Sequence, residues 1–495
     1  MKNRLNSNNK VPNKELIIFL MSTFFYTNMT SMVNNFRQAY LINVLQLGSS
    51  TVSLINMICA VACFALSFFY AMIVDRPPQN SKGKFKPFVK MATIPLGIIA
   101  VLMFITPRFP LPIMVAYLCI VTILNGAASY FAGTVNTIAY VITPSNVERE
   151  KILSYRGVSN AIAGSAPWVI VLVIGLLRKP GIIKTEEMMY IVSAVLCSVV
   201  GTVTMVLGMR VVKERTVYGD KKENPLLGYK DIIKNKYALL VVTSELIMNI
   251  RNISGYLGIF LATALLGDPS KYILFGLPTD IGAFIGMLIV NVLLKRFNSK
   301  QIYICSGVYS LFANIGAFYT GVLFFRNPGN FSFEAAFFGF LFLIGMQYGA
   351  SNLLPSMFQA DILEDLEVKT HKRLDASLGF FIGIGGTVSN AIVSTVAPLI
   401  LYGKNSLIHY LPPVLRTVEG VTKTIYLTQT YHSKVMMLVF YTIFNGSFML
   451  FAGIPFLFYK LTGKERSRVH AEVLAYRASI AENDTGNKVE VPENQ

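Results

Sequence analysis

Four charged side chains lie inside strongly apolar stretches of this chain. Arg37 stands near the outer end of the first stretch, Glu245 and Arg251 in the seventh, and Asp280 in the eighth. A charge near the centre of a bilayer costs about 2.5–3.5 kcal/mol on insertion scales, so each should have a partner or a task. Arg251 is about fifteen residues beyond Lys236, roughly 22 Å along a helix, and Asp280 is about nine beyond Lys271, roughly 13 Å. Those depths nearly meet in a hydrocarbon core of ~30 Å. We expect Arg251 and Asp280 to pair. Asp280 then serves either as a proton or cation site or as half of a structural pair pinning two helices.

Uncharged polar residues are the stronger candidates for contact with a small solute. Thr27, Asn28, Asn34 and Asn35 lie in the first stretch, Asn125 and Asn136 in the fourth, Asn249 and Asn252 in the seventh, and Gln347 and Asn352 in the tenth. Amides both donate and accept, which suits a hydroxyl-rich solute. The same groups also bond helices together at about 0.6 kcal/mol each. Tyr26, Tyr130, Tyr256 and Tyr348 lie in the same four stretches, where they either stack on a solute ring or pack the core.

Enzyme chemistry is not expected. The four histidines (His371, His409, His432, His470) form no metal-ligand pair, and there is no phosphate-cradling Gly-Lys loop and no nucleophile–base set. Cys59, Cys63, Cys119, Cys197 and Cys305 sit within apolar runs without zinc spacing and read as packing residues. Neither a metal nor a cofactor is expected, and a nucleotide-driven pump is disfavoured.

The elements that must position these residues are twelve apolar runs: 15–45, 52–74, 88–107, 111–140, 155–177, 188–212, 237–266, 273–294, 301–325, 333–360, 375–403 and 434–460. Of 495 residues, 53% are hydrophobic and 14% charged, with a mean hydropathy of +0.53. A soluble domain carries about 25% charged residues. The runs therefore predict an all-α integral membrane protein with twelve transmembrane helices. The first, fourth, seventh and tenth carry most of the Asn, Gln and Thr and should face a polar cavity. The widest charged loop divides the chain into an N-terminal six-helix half (1–212), a central loop (213–236), a C-terminal six-helix half (237–460) and a tail (461–495). Two such halves about a midplane cavity describe the major facilitator fold.

A net charge of +18 would suggest nucleic acid as a partner of a soluble protein. Here it follows membrane topology. Arg76, Lys82, Lys84, Lys86 and Lys90 fall in one loop, Lys213 to Lys236 hold seven more cations, and Lys295, Arg296 and Lys300 another three. The positive-inside pattern places both termini in the cytoplasm of a multi-pass protein of the cell membrane. The loop 404–433 is cationic and expected outside, and its role is open. The first run reads as a retained helix rather than a signal peptide. Glu465 to Ile480 is expected to form a short helix.

Loop motifs add a resemblance. Asp75-Arg76 and Gly83-Lys84-Phe85-Lys86-Pro87-Phe88 follow the second run. Thr143-Pro144-Ser145, Glu148-Arg149 and Tyr155-Arg156 follow the fourth. Ala360-Asp361-Ile362 and Lys372-Arg373 follow the tenth, and Phe458-Tyr459-Lys460-Leu461-Thr462-Gly463-Lys464-Glu465 the last. In this order the chain resembles the glycoside–pentoside–hexuronide cation symporters of the major facilitator superfamily, of which melibiose permease is a member. That resemblance implies sugar transport by alternating access. It also implies that Arg156 reaches the solute pocket. Charges at inner helix ends (Asp75, Glu148, Arg149, Asp361 and Arg373) are candidates for a cytoplasmic gate, pairing in one state and parting in the other.

The sequence departs from that family where its cation binds. Cys63 and Ser67 stand where two aspartates are usual, Thr27 and Ala132 where further acids stand, and Thr387 near the family's eleventh-helix lysine. Asn352 replaces a pocket tryptophan. We expect a secondary transporter of a glycoside or related small polar solute, monomeric in the bilayer, using H+ or Na+ if it is coupled. Thr27, Asn28, Asn136, Arg156, Asn249, Asn352 and Thr387 are the expected solute contacts. Two alternatives stay open. One is an amphipathic or anionic solute met by Arg37, Arg156 and Arg251. The other is a sugar sensor that does not transport.

Overall fold

Each apolar run folds as helix, as it must where lipid offers the backbone no hydrogen-bond partner. The computed structural model describes residues 11–75, 83–143, 146–177, 182–215, 225–370, 375–418, 421–473 and 475. The order begins α1 (Asn13–Ala39), α2 (Ser49–Asp75), α3 (Lys86–Leu102), α4 (Leu111–Ala132), α5 (Val135–Val141), α6 (Asn146–Leu176) and α7 (Glu186–Val211). A short α8 (Pro225–Lys234) occupies the charged central segment. Then come α9 (Lys236–Ile250), α10 (Ile253–Leu266), α11 (Ile273–Leu293), α12 (Ser299–Arg326), α13 (Phe331–Thr370), α14 (Asp375–Leu401), α15 (Tyr431–Tyr441) and α16 (Ile443–Gly453). Two strands, β1 (Val414–Val418) and β2 (Val421–Ile425), pair antiparallel within the 404–433 loop, Val414 opposite Ile425 and Val418 opposite Val421.

Among the described residues, ten helical stretches are long and apolar enough to cross a membrane. The third run, a 17-residue helix, and the seventh, split into α9 and α10, occupy the other two expected positions. The fold is the all-α membrane architecture that the pattern of runs predicts.

The helices pack into two units, each assembled from separate stretches of chain. The first comprises 1–221, 255–277 and 391–437, the second 222–254, 278–390 and 438–495. Within the first unit, α2 is tied to α14 by Ser53 Oγ donating to the Thr395 carbonyl and Asn56 Nδ2 to the Ser394 carbonyl, both at 2.6 Å. Tyr402 donates to the Leu47 carbonyl at 2.6 Å, and Gln46 to that of Pro413 at 2.6 Å. Just beyond β2, Tyr426 donates to the carboxylate of Glu186, which is 1% exposed and also accepts from Tyr190 at 3.1 Å. Burial, with Glu186 beside it, pushes the Tyr426 phenol well above the usual range and keeps it a donor. Trp168 lies between Phe36 and Tyr272, with centroids 4.4 and 4.2 Å away.

The Gly83 motif has a local cause. The Glu214 carboxylate accepts from the backbone N–H groups of Lys84, Phe85 and Lys86 at 2.7, 3.0 and 2.8 Å, crowning the N-terminus of α3. Gly83 holds φ at +93°, and a Cβ there would lie 2.6 Å from the Glu214 carboxyl carbon. Glu15 in turn grips Arg215 with both oxygens, at 2.8 and 2.6 Å, and accepts from the Lys213 N–H at 2.7 Å. The hydrogen bond with Glu15 holds the Arg215 guanidinium above its usual pKa.

The second unit packs around Tyr303, Phe358, Phe456 and Tyr459, all under about 2% exposed. α11 and α13 approach at backbone distance, because glycines four residues apart face each other. A Cβ on Gly286 would lie 2.1 Å from the Met346 carbonyl oxygen, and one on Gly345 2.0 Å from that of Thr279.

Candidate functional site

The polar residues gather where the helices break, and each unit has its own cluster. In the second unit the seventh run interrupts its regular hydrogen bonding at Arg251 and Asn252. There the Arg251 N–H turns to the Met248 carbonyl at 3.3 Å and the Asn252 N–H to that of Asn249 at 3.0 Å. These tight turns free side chains that a continuous helix would stack along its faces. Arg251 Nη1 donates to Gln347 Oε1 at 3.3 Å, and the guanidinium lies 4.4 Å over the Tyr348 ring. Tyr348 is fixed from behind, its hydroxyl accepting from Asn445 Nδ2 at 2.8 Å. Beside this runs a row of carbonyl and amide groups. Asn249 Nδ2 donates to Glu245 Oε2 at 3.2 Å, and Asn252 Nδ2 donates to Asn249 Oδ1 at 3.3 Å and Asn390 Oδ1 at 2.9 Å.

Arg251 thus turns to α13, and the described ion pairs do not join it to Asp280, which lies exposed on α11. The physical reason is local. A planar guanidinium can stack on Tyr348 and meet Gln347 from one position. Asn352 and Thr387 are exposed on α13 and α14, and Thr387 Oγ1 is satisfied by the Gly383 carbonyl at 3.0 Å.

In the first unit the break falls between α4 and α5. Asn136 sits just past it, and its carbonyl accepts from Arg156 Nη1 on α6, so two expected contacts meet. Among the described residues, the buried Asn136 side-chain oxygen has no hydrogen-bond partner. Thr27 is half-buried on α1 and Asn28 is 2% exposed. Tyr26 donates to the Ser129 carbonyl at 3.1 Å, and Tyr130 to that of Cys63 at 3.1 Å. Arg37 donates to Thr122 Oγ1 at 2.8 Å and to Asn56 Oδ1 at 3.4 Å, while Gln38 accepts from Tyr256 at 3.1 Å. Gln38, Asn56, Thr122 and Asn390 are absent from the expectations drawn from sequence. They carry no charge, and only their neighbours mark them.

The positions where the resembling family holds its cation are occupied otherwise. A Cβ on Gly126 would lie 2.5 Å from Cys63 Sγ, so the thiol packs on that glycine. Ser67 Oγ donates to the Phe64 carbonyl at 2.6 Å. Among the described residues no group of three or more His, Cys, Asp or Glu is placed to hold a metal.

The expected gate residues are only partly described. Glu148 accepts from Thr143 Oγ1 at 2.6 Å and from the Val11 N–H at 3.0 Å. Asp361, 4% exposed, is bound by Arg466 Nε at 2.8 Å, from a helix over 464–473. Next to it Glu364 meets His470 at 3.1 Å, and Asp365 meets Lys369 at 2.6 Å and Asn235 at 2.8 Å. The side chains of Asp75 and Arg149, and all of Arg373, lie outside the described residues.

Comparison with known proteins follows the same lines. The family model described as MFS/sugar transport protein matches residues 18–463. A protein of Salmonella typhimurium LT2, described as a candidate sulfoquinovose importer, is 25% identical over 239 residues, 47% of this chain. The chain spans 50% of that relative's length. A candidate sulfoquinovose importer of Escherichia coli K12 is 24% identical over 373 residues, covering 72% of this chain and 74% of its own. The crystal structure of the nucleoside transporter NupG superposes with a TM-score of 0.60 at 15% identity, over 91% of this chain and 100% of that one.

Proposed function

The chain belongs to the MFS/sugar transport protein family, and from that premise we propose that it is a secondary transporter carrying a sugar-like solute by alternating access. The observation that carries this reading is the broken seventh run. Discontinuous helices set backbone and polar side chains free at the membrane midplane, where a transporter meets its cargo. Here the break delivers Arg251, Asn249 and Asn252 together with Gln347, Tyr348 and Asn390, a set rich in groups that both donate and accept.

The surroundings of Arg251 favour a cargo with an anionic group. Its guanidinium directly meets an amide oxygen and an aromatic face, neither of which carries a full charge, while the Glu245 carboxylate acts on it through space. Arg37 in the first unit likewise donates to uncharged groups, the Thr122 hydroxyl and the Asn56 amide oxygen. Sulfoquinovose, the solute named for two relatives, is a sugar with such a group, a sulfonate. Asn136 and Arg156, with Thr27 and Asn28, are the solute contacts we propose within the first unit taken by itself. We place the protein in the cytoplasmic membrane as a monomer with both termini inside, close to the glycoside–pentoside–hexuronide symporters. Asp280 is the proposed coupling group for H+ or Na+.

Counterflow in proteoliposomes tests this reading. Vesicles preloaded with a sulfonated sugar should accumulate the labelled compound, whereas an uncharged glycoside of the same size should exchange more slowly. Absence of counterflow with every sugar, alongside measurable binding, would leave a sensor instead.

A further inference from the structure

The second unit carries two adjoining apolar hollows on the flank of α11, the larger of which touches the proposed cargo set at one residue, Gln347. One, of about 330 Å3, runs between α11, α12 and α13 and is walled by Gly286, Val290, Leu293, Cys305, Tyr309 and Ala350. The second, about 250 Å3, lies on the neighbouring face of α11 and shares Ile289 and Leu293 with the first. The glycine-to-backbone approach of α11 and α13 draws those two helices together beside the larger hollow.

Both hollows reach Leu293, the last residue of α11. The turn that follows presents Lys295 and Arg296, both exposed, and then Phe297, which lines the larger hollow and is 51% exposed. Lys300 is not part of this pair, because its ammonium donates to the Leu457 and Tyr459 carbonyls at 2.9 and 3.0 Å. An apolar hollow and an apolar face of α11 that meet at Leu293, followed in the next turn by two exposed cations, match a molecule with two hydrocarbon chains and one negative head. We propose that this surface is a binding site for an anionic phospholipid. One acyl chain lies in each hollow, and the phosphate-bearing head meets Lys295 and Arg296. Chain methylenes restore the contacts that unfilled helix surface forfeits. Basic residues at a helix end attract anionic heads over zwitterionic ones. The leaflet follows from the orientation proposed above, but binding itself depends on neither orientation nor transport.

Native mass spectrometry of the full chain, released from detergent with phosphatidylglycerol or with phosphatidylcholine of identical chains, tests the site. Phosphatidylglycerol should be retained roughly tenfold more than phosphatidylcholine, given two cations near the head. The double substitution Lys295→Gln, Arg296→Gln should remove that preference and leave phosphatidylcholine retention unchanged. Both side chains are exposed, so the variant should elute and melt like the parent. Maleimide labelling of Cys305, read on its own peptide, should fall when phosphatidylglycerol is added. Equal retention of the two lipids by the parent, an unchanged preference in the double variant, or undiminished labelling of Cys305 would each overturn the proposal.

Discussion

At the scale of single residues, Arg251 is where mechanism can be tested most directly. If it meets an anionic cargo, Arg251→Ala removes a charge-assisted contact of about 1.5–3 kcal/mol, which is roughly a 10- to 150-fold rise in half-saturation. Arg251→Lys keeps the charge but not the planar stack on Tyr348, so its half-saturation should fall between the two. Counterflow titration with a sulfonated sugar reads both, and equal half-saturation in all three proteins would exclude the contact. Asp280→Asn asks a different question. Uptake driven by an imposed proton or sodium gradient should lose its gradient dependence, while exchange between equal pools continues. Intact gradient-driven uptake would end the coupling role of Asp280. The contact between Arg251 and Gln347 was not legible in the sequence. Equal depth in the bilayer pointed to Asp280, but depth says nothing about which face of a helix a side chain occupies. Gln347 is 96 positions away and uncharged.

At the scale of elements, the apolar runs were legible because lipid imposes both length and helicity. The breaks were not, since neither Arg251-Asn252 nor Gly133-Thr134 is marked by a proline, and each lies inside a run long enough to span as one helix. The hairpin of β1 and β2 was not legible either. Its strands are five residues each and lie in a loop with no long alternating pattern. The α11–α13 contact makes a sharp prediction about packing. Gly286→Ala forces a methyl carbon to within 2.1 Å of the Met346 carbonyl oxygen and should destabilise by about 1–3 kcal/mol. Gly339→Ala in α13, where a Cβ meets nothing within 4 Å, should be neutral or slightly stabilising. Thermal unfolding of the two purified variants makes the comparison, and equal melting points would refute the close approach.

At the scale of the whole molecule, two of the loop motifs that resemble a symporter family, those at Gly83 and at Asp361, take part in fastening distant segments. Glu214 crowns α3, Glu15 holds Arg215, and the 464–473 helix is bound to α13 through Arg466 and Asp361. The last pair joins a buried carboxylate to a half-exposed guanidinium, with side-chain exposures of 3% and 47%. Its loss should therefore fall between the ~0–1 kcal/mol of exposed pairs and the ~3–5 kcal/mol of buried ones. Arg466→Ala strands the buried Asp361 carboxyl without its cation, to be kept charged at a cost or neutralised by taking up a proton, so it should destabilise by about 2 kcal/mol. Adding Asp361→Asn should recover most of that loss by removing the stranded carboxyl. A double-mutant cycle on melting temperature measures it, and additive losses would show that the two side chains do not interact.

Trp168, wedged between Phe36 and Tyr272, is the chain's one tryptophan. Light absorbed near the red edge of the protein band therefore excites a single indole, whose emission carries no background from elsewhere in the protein. Its colour and quenching report one place, where α6 meets α1 and the turn between α10 and α11. The native chain thus comes with an optical gauge of that junction, readable in real time as cargo is added, without any engineered label.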